Sequence, residues 1–311
     1  MTRPSAALVC ALGVVASCLA VAACRHDAGG KTGSRRVVGV SLLTETHAFY
    51  KDLEDGLRDA AAGRNLELVI VACEMDPARQ AAQIEDFVAQ RVSAILVAPC
   101  DSSAIGAHLA GPERAGIPVF SADIAVRTGT VVSHVASDNV QGGRLAAQTM
   151  ARLLGDKGRV VIIDQPEVAS VQDRVRGFDE EMKNHPQITI VGRPSGSGQR
   201  ARAMAVMEDM LQAHRDLNGV FGINDDSALG AVSVLDAAGR KDIIVVGYDA
   251  TSEAQSAIKR GSPLKADVIQ YPRKIGQTAI DIISRYLAGE NVPAVVSVDV
   301  GVVDAAALAR P

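Results

Sequence analysis

Six chemically capable features mostly follow runs of apolar, largely β-branched residues. They are THAFY (46–50) after VVGVSLL, Asp123 after IPVFSA, Arg174 beyond VVIID, Asn224-Asp225-Asp226 after GVFGI, Asp249 closing IIVVGYD, and Gln270 ending LKADVIQ. Carboxylates accept hydrogen bonds, an Arg offers a fixed fork of donors, and an amide does both. One polar residue at a strand end means little, because loops are polar anyway. Six, drawn from both halves of the chain, form a pattern that core packing alone does not require. The signatures of bond-breaking chemistry are missing: the sequence has no G-x-S-x-G elbow, H-E-x-x-H, C-x-x-C or Walker loop. Its six His residues are scattered, with no pair at i,i+4. No catalytic residue and no metal site is expected.

The elements that must position these residues alternate. From Val37 the chain reads strand (VVGVSLL), helix (Phe49 to Gly63), strand (LELVIVA), helix (Pro77 to Arg91), strand (AILVAP), helix (Ser102 to Ala115) and strand (IPVFSA). The run VVSHVASDNVQGGRLAAQTM (131–150) then begins as a strand, breaks at Ser137-Asp138-Asn139 and restarts as a helix carrying the pair Gly142-Gly143. After it the alternation repeats through GRVVIID, ITIVG, GVFGI, IIVVGYD and LKADVIQ, with a helix after each, and VVSVDVGVV closes the chain. Strand–helix alternation implies parallel α/β sheets, whose ligands bind at the carboxyl ends of the strands. Two rounds of it imply two similar lobes, although no sequence repeat is visible.

Composition sets the class. A chain of 311 residues has room for two domains, and 48% hydrophobic residues can fill their cores. A net charge of −4 without a basic block argues against nucleic acid as a partner. With five Phe, four Tyr and no Trp, an aromatic pair such as Phe49-Tyr50 at a loop tip is informative. The first residues are a separate object: Arg3 precedes an apolar run from Ala6 to Ala23, and Val21-Ala22-Ala23-Cys24 resembles a bacterial lipobox. Residues 1–23 are therefore expected to be a signal peptide and Cys24 the lipidated mature terminus. Val15-Ala16-Ser17-Cys18 is a weaker competing site, and a plain transmembrane anchor is the alternative. Residues 24–36 form a polar, aperiodic tether. Cys73 and Cys100 end strands that would flank the first strand without touching, near the outer limit for a bridge, so they are expected to be free thiols.

VVSHVASDN (131–139), AGIPVFSAD (115–123), RVRGF (174–178), VFGINDDSALGA (220–231), VVGYD (245–249) and AGEN (288–291), in this order and spacing, resemble the type I periplasmic sugar-binding proteins, nearest the ribose-binding branch. The resemblance spans roughly 37–303. It implies two doubly wound, Rossmann-like parallel-sheet lobes joined by a three-crossing hinge near Ser137–Asn139, Gln270–Tyr271 and Asp299–Val300. The lobes would comprise 37–138 with 271–299, and 139–270 with 300–311.

The function so implied is a lipid-anchored, monomeric solute-binding protein, without cofactor, on the outer face of the cell envelope. It would capture a monosaccharide or polyol between the lobes and deliver it to the permease of an ABC transporter. A periplasmic sensor for a receptor or kinase is the alternative, and a repressor-type effector domain a more distant one. By the same resemblance Phe49 and Tyr50 cover the faces of a sugar ring, and Asp123 accepts from two hydroxyls. Arg174 donates to ring or hydroxyl oxygens, and Asn224, Asp249 and Gln270 supply the polar rim. The sequence departs from the ribose pattern at Ile124, where an Arg is usual, and in 195–199, which lacks a third aromatic. His47 stands where an Asn would be. His47, Glu45 and Gln172 are candidate replacements, and the altered set departs from the one that fits ribose.

Overall fold

The computed structural model describes residues 35–310. The signal stretch 1–23, Cys24 and the tether up to residue 34 lie outside the described residues. Strands β1 (Arg36–Leu42), β2 (Leu66–Ala72), β3 (Ala94–Val97), β4 (Val119–Ala122), β5 (His134–Ser137) and β11 (Val295–Val298) make one six-stranded sheet, in the order β11-β5-β4-β3-β1-β2. Strands β6 (Gly158–Ile163), β7 (Ile188–Gly192), β8 (Gly219–Gly222), β9 (Ile244–Asp249), β10 (Leu264–Ile269) and β12 (Gly301–Asp304) make the second, in the order β12-β10-β9-β8-β6-β7. The two sheets share one winding rule, the doubly wound order in which the first strand sits inside the second. This is the two-lobed α/β architecture expected from the alternation.

All pairings in the first sheet are parallel, whereas β12 runs antiparallel to β10. The expected final strand VVSVDVGVV is therefore two strands, one per sheet, separated by Asp299–Val300. Strands β6 to β10 run toward the space between the sheets, but β12 enters its sheet from that space. A two-residue link leaves no room for a crossover that would reverse it.

The helices are α1 (Ala48–Ala61), α2 (Pro77–Ala89), α3 (Ala110–Arg114), α4 (Asn139–Leu154), α5 (Ala169–Met182), α6 (Arg200–Ala213), α7 (Asp225–Ala237), α8 (Ser252–Lys259), α9 (Pro272–Leu287) and α10 (Ala305–Leu308). The helix expected over Ser102 to Ala115 is instead a 3₁₀ turn, Ala104–His108, followed by the short α3. Pro112 lacks an N–H, and its ring would collide with the His108 carbonyl in a continuous helix.

Close helix crossings hold each lobe together. In α4 and α5, a side chain at Gly143 would strike the Arg174 carbonyl, and one at Gly177 the Val140 carbonyl. The reciprocal glycines let these backbones touch, and Gly142 makes room for the Tyr248 ring. Gly56 of α1 and Gly276 of α9 repeat the device in the other lobe. Around them pack fully buried Leu53, Leu57, Ile275 and Ile280 on one side and Met150, Phe178, Phe221 and Tyr248 on the other.

The cysteine expectation is corrected. Cys73 and Cys100 form a disulfide with Cα atoms 6.8 Å apart. Their strands do flank β1, but both residues lie beyond the strand ends, in loops that converge over the end of β1. Gln80 of α2 draws in the second loop: its amide donates to the Ala98 carbonyl at 3.0 Å, and its oxygen accepts from Cys100 N at 2.8 Å. Second-neighbour strand spacing therefore does not limit the approach of the two thiols.

Candidate ligand cleft

The carboxyl ends of both sheets face one cleft, with about 450 Å³ of empty space counted together with its open side. Of the eight expected site residues, all line it: His47, Phe49, Tyr50, Asp123, Arg174, Asn224, Asp249 and Gln270. Glu45 and Gln172 do not. Glu45 is exposed and its amide donates to Glu74, while Gln172 is exposed and donates to the Pro166 carbonyl.

His47 caps α1, its Nδ1 accepting from Phe49 N at 3.2 Å. That bond leaves Nε2 to face the other sheet, 3.4 Å from Asp249 Oδ2. A cap and a cleft residue are thus one and the same here. The helix that His47 opens immediately delivers Phe49 and Tyr50, both buried, with ring centroids 5.2 Å apart in an edge-to-face pair.

The Tyr50 hydroxyl donates to Asp123 Oδ2 at 2.6 Å. Asp123 follows β4 with φ of 62°, a left-handed conformation that turns its carboxyl toward Tyr50. Its other oxygen, Oδ1, is buried without a partner. Burial pushes the Asp123 carboxyl up to about 6, against the opposing pull of Arg174 and the Tyr50 hydrogen bond.

Arg174 is 5% exposed, and its charge is held from several sides. Nε donates to Asn139 Oδ1 at 2.9 Å and Nη1 to the Ile223 carbonyl at 2.7 Å. The guanidinium lies 3.8 Å over the Tyr248 ring and 3.9 Å from Asp249 Oδ1. A buried cation needs such a set of partners, and here all but Asn139 reach it from strand ends of the second sheet. Gln270 Nε2 donates to Asp249 Oδ1 at 2.6 Å, leaving Gln270 Oε1 buried and unpartnered. Asn224 caps α7, accepting from Ser227 N at 2.9 Å and donating to the Gly198 carbonyl at 3.1 Å. Its polar atoms are largely committed to that cap.

Sequence reasoning missed several contributors. Thr44, Gln165 and Ser170 also line the cleft. Gln165 directly follows VVIID and obeys the same strand-end rule that singled out the others. Asn139 was read only as part of the crossing, yet it accepts from both Arg174 and the Tyr248 hydroxyl. Leu43, Met75, Ile124, Val168 and Val171 add apolar side chains to the lining.

Several contacts outside the polar set join the two lobes. Ser102 N donates to the Glu167 carbonyl at 3.2 Å, and Ser102 Oγ accepts from Ala169 N at 2.9 Å. Arg127 pairs with Asp173 at 3.0 Å, and Gln199 Nε2 lies 3.1 Å from Met75 Sδ. The lobes are closed on one another.

Two α/β lobes of one topology, closed over a buried rim of acceptors and donors beside an aromatic pair, define a solute-binding protein of the two-lobed kind. Residues 38–291 match the periplasmic binding protein domain, and the chain belongs to that family. It is similar to the ribose import binding protein of Bacillus subtilis strain 168, with 34% identity over 84% of this chain and 84% of that one. Among solved structures it is similar to an ABC transporter solute-binding protein from Mycobacterium smegmatis with bound glycerol. That match has 33% identity and a TM-score of 0.83, covering 88% of this chain and 95% of the other. A solute-binding protein from Agrobacterium vitis bound with α-D-tagatopyranose matches at 29% identity and TM-score 0.84, over 89% and 97% of the two chains.

Proposed function

We propose that the protein captures a monosaccharide or related polyol between its lobes and delivers it to an ABC importer. The observation that carries this reading is the pair of buried, unpartnered acceptors, Asp123 Oδ1 and Gln270 Oε1, on opposite sides of one cleft. A buried acceptor without a donor costs about 1–3 kcal/mol, and a ligand hydroxyl at each would recover it. Phe49 and Tyr50 supply flat apolar surface for the C–H face of a ring, and Arg174 a fixed donor fork. The sugar and polyol ligands of the similar proteins support the same class.

The reading differs from ribose at two places. Ile124 is 2% exposed against the cleft where a guanidinium is usual in the ribose-binding pattern. Gly198 occupies the loop that would carry a third aromatic, and a side chain there would strike Gln165 and Asn224. Fewer donors and one stacking ring fewer favour a ligand with an apolar edge toward Ile124 over ribose.

Closure is assigned to the three crossings at Ser137–Asn139, Gln270–Tyr271 and Asp299–Val300, with lobe boundaries at 37–138 plus 271–299 and 139–270 plus 300–311. The protein acts as a monomer at the outer face of the cell envelope, tethered through a lipid on Cys24. It performs no chemistry on its ligand.

A thermal-shift screen of pentoses, hexoses, inositols and linear polyols, followed by titration calorimetry, tests the ligand class. At least one should raise the melting temperature and bind saturably; no response across the set would overturn the sugar reading. For the anchor, metabolic labelling with a palmitate analogue should mark the full-length protein and not its Cys24→Ala variant.

A further inference from the structure

Two carboxyls that do not line the cleft lie directly behind it. Asp225, the first residue of α7, is 2% exposed, and Asp267 in β10 is 0% exposed. Each spends one oxygen on the turn that follows β9. Asp267 Oδ1 accepts from Ala250 N at 3.1 Å, and Asp225 Oδ2 accepts from the next amide, Thr251 N, at 2.7 Å. Their remaining oxygens, Asp225 Oδ1 and Asp267 Oδ2, find no donor in the protein. The two carboxyls take adjacent amides of one turn, which brings them within interaction distance of each other. A side chain at Gly247, the residue paired with Asp267 across the sheet, would run into Asp267 Oδ2. The glycine therefore keeps this space free for a carboxyl.

Two buried carboxylates side by side repel. One proton between them turns the contact into a charge-assisted O–H···O⁻ bond, the short and strong kind. Burial raises both carboxyls, and their mutual charge raises Asp267 further, which keeps a proton on the pair.

What the pair holds is the turn that carries a cleft residue. Asp249 and Ala250 have φ of 117° and 54°, left-handed conformations for residues with a side chain. Such positions cost on the order of 1–3 kcal/mol each and persist only where the surroundings enforce them. Here consecutive amides after Asp249 are pinned by the two carboxyls, and Asp225 N itself points at Asp249 Oδ2, 3.5 Å away. Asp249 is in turn the acceptor for Gln270 and the near neighbour of His47 and Arg174.

We propose that Asp225 and Asp267 are positioning residues, a proton-sharing carboxyl clamp that fixes the Asp249 turn and so sets the geometry of the ligand rim. The proposal rests on the sugar-binding reading for its ligand, but the clamp itself has a signature that needs none.

The decisive comparison is Asp267→Asn against Asp267→Ala, in the full chain, with the tightest sugar from the screen. The Asn amide can donate to Asp225 while its oxygen accepts from Ala250 N, reproducing the shared proton at the same net charge. Its dissociation constant should stay within about threefold of wild type, whereas Asp267→Ala should weaken binding by about 30-fold, the scale of two lost buried hydrogen bonds. Independently of any ligand, the infrared spectrum of the wild-type protein at neutral pH should contain the carbonyl band of a buried protonated carboxylic acid. That band should vanish in both Asp267→Asn and Asp225→Asn. Absence of the band in wild type, or equal affinity of wild type and Asp267→Ala, overturns the clamp. So does an Asn variant as weak as the Ala variant. Should Asp267→Ala not fold, the infrared comparison decides alone. A wild-type protein that shows the band but binds no sugar would instead overturn the ligand reading and leave the clamp standing.

Discussion

Asp123 offers the cleft one free oxygen, because the Tyr50 hydroxyl occupies the other at 2.6 Å. The hydroxyls expected there from the family resemblance would find their open acceptor at Oδ1. Asp123→Ala should cost about 2 kcal/mol or more of binding, the scale of a hydrogen bond to a charged acceptor, with the melting temperature of the free protein retained. Calorimetry alongside thermal unfolding checks both halves, and unchanged affinity would remove Asp123 from the site. The pH dependence has a definite sign. Asp123 is raised from 3.8 to about 6 in the folded protein. Between those values the folded state keeps a proton that the unfolded chain has lost, so this residue's contribution to stability falls as pH rises through that window. Ligand binding runs the other way, because a hydroxyl donating to Oδ1 favours the ionised carboxylate. The dissociation constant should rise about tenfold between pH 7 and pH 5, and the rise should be absent in Asp123→Asn. A wild-type profile flat over that range would show that no ligand hydroxyl rests on this oxygen.

Elements were more legible than the contacts between them. Runs such as VVIID and IIVVGYD revealed the strands because parallel strands buried on both faces must be continuously apolar. The polar residues at their ends pointed to Asp123, Asn224, Asp249 and Gln270, which all line the cleft, since topology sends those ends to one edge. Gln165 could have been read by the same rule. Asn139 and Asp267 could not, because one sits at a helix start and the other inside a strand, where neither position hints at its buried partner. The disulfide was hidden for a related reason: strand spacing is periodic, but the path of a loop beyond its strand is not. That crosslink closes a sequence separation of 27, for which chain entropy suggests about 3.5 kcal/mol of stabilisation. Cys73→Ala/Cys100→Ala should therefore melt well below the oxidised protein, while reductant should lower the melting point of wild type and leave that of the double variant unmoved. The glycine crossings make a second element-scale prediction. Gly177→Val drives α5 from the Val140 carbonyl and moves Arg174 from its partners, so ligand affinity and stability should fall together. Full affinity in Gly177→Val would mean that Arg174 is positioned by its hydrogen bonds and not by the helix crossing.

For the whole molecule, affinity is the sum of what the ligand gains in the cleft and what closing the lobes costs or returns. The inter-lobe contacts at Ser102 belong to the second term, since none touches the cleft. Ser102 is 1% exposed, its amide donates to the Glu167 carbonyl, and its hydroxyl accepts from Ala169 N at the start of α5. The Arg127–Asp173 pair beside it is 38% and 24% exposed by side chain, the kind of surface ion pair worth about 0–1 kcal/mol. Ser102 is thus the stronger latch, and the Cys73–Cys100 bridge holds the loop from which it projects. Ser102→Ala leaves the Ala169 amide without its acceptor in the closed form only, because in an open form water replaces the hydroxyl. The closed state should lose about 1 kcal/mol, so ligand affinity should drop about fivefold with no group in the cleft altered. Arg127→Ala should change affinity by less than Ser102→Ala, and chiefly at low salt. Small-angle scattering of ligand-free Ser102→Ala should show a larger radius of gyration than wild type, with the two converging once ligand is saturating. If the variant binds as tightly as wild type, the contact forms equally in both states and closure is governed by the ligand alone.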